Sequence, residues 1–110
     1  MNNIIISKVS KTEVCAGCRK PVVFETTEIE PRRNGEPDYR AAALHMAVAE
    51  YEHYAVTGNG RNWAWQVTLN GEDVDRDLLG TAEQGIEPCD IYDALVARGM
   101  SEEDAERALA

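Results

Sequence analysis

The chain has 110 residues, 44% of them hydrophobic but only seven aromatic, which is enough for one domain with a core of its own. Its formal charge of −9 argues against nucleic acid or an anionic membrane as the direct ligand. The odd set Cys15, Cys18 and Cys89 is unlike a disulfide scaffold, Met1 to Lys8 lacks the pattern of a secretory leader, and no run approaches the ~18 apolar residues of a membrane helix, so a cytoplasmic protein with reduced thiols is expected.

In chain order, Ile4 to Val9 reads as a short strand, although three consecutive isoleucines blur its alternation. A turn containing Cys15-Ala-Gly-Cys18 leads to a second strand, Val22 to Ile29, rich in β-branched residues. Pro31-Arg-Arg-Asn-Gly-Glu-Pro37 has loop chemistry, and residues 1–37 form a β-rich opening segment. The longest helix is expected over 38–57. Asp38 stands at its cap, no Gly or Pro interrupts it, and Leu44, Ala47, Val48, Tyr51, Tyr54 and Ala55 share one stripe at about 100° per residue.

A hairpin is expected over 62–77. Its first strand alternates strictly, with Trp63, Trp65, Val67 and Leu69 on one face. Asn70-Gly71 suits a tight turn, and the return strand, Glu72 to Asp77, is short and charged as sheet edges often are. Residues 81–110 read as short helices. Pro88 opens one whose stripe is Ile91, Leu95 and Val96 and which stops at Gly99; Ser101-Glu-Glu-Asp104 opens the last. The expected fold is a single α+β domain over 1–110: an antiparallel sheet of three to four strands packed on one long helix, with a C-terminal acidic helical hairpin pinned by Met100.

Cys15-Ala-Gly-Cys18-Arg-Lys-Pro resembles the knuckles of LIM and zinc-ribbon modules, in which two thiolates on a turn grip one metal. That resemblance implies a zinc-stabilised structural or adaptor domain and requires further ligands, for which His45, His53 and Cys89 are the candidates. His45 and His53 lie about 12 Å apart along one helix, so only one of them could join the site. The competing reading of the same turn is two small thiols packed in a hairpin, with no cofactor. The thioredoxin type of redox site is disfavoured, because Pro21-Val-Val-Phe24 continues as strand where a helix would be needed. Asp73, Asp75 and Asp77 begin like a calcium loop, but Leu78 and Gln84 stand where glycine and glutamate are required. No nucleophile-and-base set, phosphate loop or His-Glu-x-x-His motif is present, so an enzyme is not expected.

Charge gives the remaining functional signal. Residues 1–37 hold six basic and five acidic side chains, whereas residues 38–110 hold five basic and fifteen acidic. The expected activity is protein binding. Glu72, Asp73, Asp75, Asp77, Asp90, Asp93, Glu102, Glu103 and Asp104 would be drawn to a basic groove on a target, plausibly one that otherwise holds nucleic acid, with Trp63 as an apolar anchor at an exposed sheet edge. In size and acidity the chain is similar to small phage-encoded inhibitors, including anti-CRISPR and DNA-mimic proteins. That resemblance implies an inhibitor that occupies its target's nucleic-acid surface.

Overall fold

The computed structural model describes residues 2–10, 23–57 and 63–109, the side chains at 10 and 54–57 excepted. It has an α+β fold of four strands and four helices, in the order β1 (Ile4–Ser10), β2 (Val23–Ile29), α1 (Tyr39–Thr57), β3 (Trp63–Leu69), β4 (Glu72–Asp73), α2 (Arg76–Gln84), α3 (Pro88–Ala97) and α4 (Glu102–Leu109). The chain divides into two compact units, each assembled from separated stretches. One holds residues 1–39 and 62–75; the other holds 40–61 and 76–110.

The first unit is the sheet, antiparallel throughout, with strand order β2-β1-β3-β4. The isoleucine run at its N-terminus makes sense in this order. As an interior strand β1 is flanked on both sides, and Ile4, Ile6 and Ser7 are all buried. Register places Ile4 opposite Leu69, Ile6 opposite Val67 and Lys8 opposite Trp65, so these residues line one face together with Trp63. On the neighbouring pair Ser7 and Thr26 face each other, their hydroxyls 3.2 Å apart. Asn70 and Gly71 both have positive φ, 54° and 85°, and Leu69 pairs directly with Glu72, so the expected two-residue turn forms. The Pro31–Pro37 loop is tied down as well. Gly35 N–H donates to Arg32 O at 2.8 Å, Glu36 N–H to Asn34 Oδ1 at 3.0 Å, and Asn2 Nδ2 to Gly35 O at 2.8 Å.

In the second unit, Val48 of α1, Leu95 of α3 and Ala105 of α4 form a buried cluster. Leu44, Tyr51, Ile91, Tyr92, Met100 and Ala108 pack around it. Three residues of the expected stripe, Leu44, Val48 and Tyr51, therefore do face a core. Ala42, Ala43 and Ala49 are buried on other sides of the same helix, which its small side chains permit.

The ends of α3 and α4 are set by local chemistry. Pro88 occupies the first turn of α3, where its missing N–H costs nothing, and Glu87 N–H donates to Asp90 Oδ2 at 3.0 Å across the turn. At the other end Gly99 adopts φ 104°. Gly99 N–H then reaches Val96 O at 3.0 Å and Met100 N–H reaches Leu95 O at 3.1 Å, which closes a Schellman motif. Ser101 Oγ accepts from Asp104 N–H at 3.2 Å and starts α4.

One element departs from expectation. The return strand does not reach Asp77: β4 ends at Asp73, and α2 begins at Arg76. Acidic residues at 73, 75 and 77 suit a charged strand, but Asp75 also stands where helices prefer an Asp cap, and Asp77 falls in the first turn, where the helix dipole favours it. Burial of Leu79 on α2 then supplies an apolar reason for the helix, despite Gly80 within it. No helix among the described residues is long and apolar enough to cross a membrane.

Candidate functional site: an acidic surface on α3 and α4

The expected acidic residues fall into two groups. Glu72, Asp73 and Asp75 belong to the sheet unit and are exposed. Asp77, Asp90, Asp93, Glu102, Glu103 and Asp104 belong to the helical unit, whose sequence holds eleven acidic and five basic side chains. Within that unit they have different surroundings. Asp90 Oδ2 accepts from both Glu87 N–H and Arg40 Nη2, each at 3.0 Å, so its carboxylate is used to start α3 and to tie it to α1. Glu103 and Asp104 sit 3.4 and 3.6 Å from the Arg107 guanidinium on the same helix and stay exposed. Pairs of this kind at the surface contribute little to stability and leave the carboxylates open to exchange partners.

Asp93 and Glu102 both act on Tyr92. The Tyr92 ring packs on the Val48, Leu95 and Ala105 cluster. Its hydroxyl is held above the ordinary value of 10.0, first by desolvation and then by the negative charges of Glu102, Glu106 and Asp93. Three carboxylates of α3 and α4 thus act electrostatically on one phenol. Sequence reasoning missed Glu106 and Tyr92. The spacing of Glu102 and Glu106, one helical turn apart, was the available signal for the first; nothing marked the second.

The Tyr92 environment predicts a titration. The folded chain holds this proton more tightly than the unfolded chain, so the associated stability is present below pH 10 and is lost as pH climbs through the folded value. The phenolate absorbance lost in Tyr92→Phe is expected to develop above pH 10, and at lower pH in a Glu102→Gln/Glu106→Gln variant. A Tyr92 that ionises at the ordinary value in the folded protein would mean these charges do not act together.

The strand face that Trp63 shares with Trp65 reads as core, with an exposed anchor as the other reading; Trp63 is only 5% exposed, as the core reading requires. Its ring meets Trp65 edge-on at 4.6 Å between centroids, and the Lys8 ammonium stands 4.9 Å above it. Lys8 also pairs with Glu25, its cross-strand neighbour, at 3.0 Å. Trp63 is therefore engaged within the sheet unit and does not present its ring.

Of the metal candidates, Cys15 and Cys18 lie outside the described residues. His45 is half-buried on α1, and Cys89 is an exposed free thiol in the first turn of α3. Among the described residues no group of three His, Cys, Asp or Glu side chains is arranged to hold a metal ion. Comparison with known proteins returns no match, whether to a family model, a curated protein or a solved structure.

Proposed function

We propose that this protein is a small acidic binding module that docks on a basic surface of another protein, as an inhibitor of the phage-encoded, nucleic-acid-mimicking kind would. The observation that carries this reading is the concentration of carboxylates on α3 and α4, where the charges of Asp93, Glu102 and Glu106 all bear on the half-buried Tyr92 and Glu103 and Asp104 are exposed. In this reading α3 and α4 act as an acidic hairpin. Long-range attraction would bring the partner in, and Tyr92, whose ring is already fixed by packing, would supply a contact of low entropic cost.

The contribution of Asp73, Asp75 and Asp77, which lie outside α3 and α4, is tested separately. Reversing Asp73, Asp75 and Asp77 to lysine is expected to weaken partner binding about tenfold at low ionic strength and to flatten its dependence on salt. Binding measured by calorimetry against salt concentration would show both effects. An unchanged salt slope would remove those three residues from the docking surface and leave the α3–α4 carboxylates to carry it.

A further inference from the structure

The sheet has two edges, and they differ in kind. β4 closes one with only two residues, Glu72 and Asp73. The other edge is β2, seven residues long, and among the described residues β1 is its one ladder neighbour. From Glu25 to Ile29 its register with β1 is unbroken, and then Val9 skips to Val23, leaving Phe24 as an extra residue in a bulge. Val23 and Phe24 are 54% and 57% exposed, two of the three large hydrophobic residues exposed among those described.

Edge strands of this length are normally blunted by lysine, proline or a covering segment. The run Glu25-Thr-Thr-Glu-Ile29 has neither lysine nor proline, and its residues favour extended backbone. Its only charges are negative. Glu25 is paired with Lys8 on one face, Glu28 accepts from Asn3 Nδ2, and Glu30 follows immediately and is exposed. A second copy of this chain would bring like charges together along the edge, on top of −9 for each molecule.

From this we infer that β2 is a second docking element, which takes an extended lysine- or arginine-bearing segment of the partner as a fifth strand of the sheet. The N–H and C=O groups on the strand's outer side would hold the incoming backbone, Glu28 and Glu30 would select its cations, and Phe24 at the bulge would cover an apolar side chain at one end. The inference rests on the proposed reading of the protein as a module for basic partners. It adds a mode of contact, strand addition, that the helical carboxylates do not provide.

Amide hydrogen exchange on the full chain tests it, with a seven-residue peptide of alternating lysine and threonine as the probe and its glutamate–threonine counterpart as control. The expected result is at least tenfold slower exchange at alternate amides between Glu25 and Ile29 with the lysine peptide alone. This protection should be lost at high salt and in a Glu28→Lys/Glu30→Lys variant. Unchanged protection of β3 in that variant would show that its sheet is intact. Equal protection by both peptides would overturn the selection for cations. Protection confined to α3 and α4 would overturn strand addition while leaving the acidic docking surface standing. Protection of β2 that rises with protein concentration in the absence of peptide would replace the partner strand with a second copy. Absence of binding by any basic protein or peptide would instead count against the module reading itself.

Discussion

Truncating Leu95 to alanine is expected to destabilise the protein by about 3 kcal/mol and to lower its thermal midpoint by roughly 10 °C or more. Leu95 has 0% exposure, it sits at the centre of the Val48 and Ala105 cluster, and its carbonyl accepts the Met100 N–H that closes α3. Removing its side chain leaves a cavity where α1, α3 and α4 meet, and close-packed surroundings collapse into such a space only in part. Leu78→Ala is the matched control. That side chain is 45% exposed, so its loss should change stability by no more than about 0.5 kcal/mol. Chemical denaturation of the two variants checks both values, and a similar cost for each would mean that α2 and α3 do not bury the faces described.

The second large effect concerns binding. Reversing Asp93, Glu102 and Glu106 to lysine adds two charges at each position and takes the net charge from −9 to −3. Affinity for a basic partner is expected to fall about thirtyfold at low ionic strength, close to 2 kcal/mol, with most of the loss in the association rate. The same change should pull the Tyr92 hydroxyl down towards its ordinary value, because three of the four influences that raise it are removed or inverted. Unchanged affinity in a variant with a shifted Tyr92 would place the docking surface elsewhere on the chain.

Signals confined to one turn or one strand were readable from residue order. Asn70-Gly71 requires two left-handed positions, Gly99 ends a helix, Pro88 begins one, and Ser101 caps the next; each forms as the local chemistry dictates. The strict alternation of Trp63 to Leu69 likewise gives a strand with a buried face. α2 was hidden because the acidic residues at 73, 75 and 77 alternate as a strand would, while the features that favour a helix there act only once Leu79 is buried.

The candidate site was legible as composition and illegible as geometry. Asp93 and Glu102 could be named from charge alone, but their joint action on Tyr92 depends on how residues of α3 and α4 pack about the Val48, Leu95 and Ala105 cluster. Asp90 looked like its neighbours in sequence and proves to be tied up by Glu87 and Arg40. Trp63 had the chemistry of an interface anchor, yet burial, Trp65 and Lys8 account for it within the sheet unit.

The most direct test of the proposed activity is capture of partners from a bacterial lysate on the immobilised protein, with elution first by double-stranded DNA and then by high salt. The expected capture is a basic, nucleic-acid-binding protein that is retained at low salt and released by the DNA. Partners that ignore both DNA and salt, or that remain bound when Asp93, Glu102 and Glu106 are reversed, would contradict it.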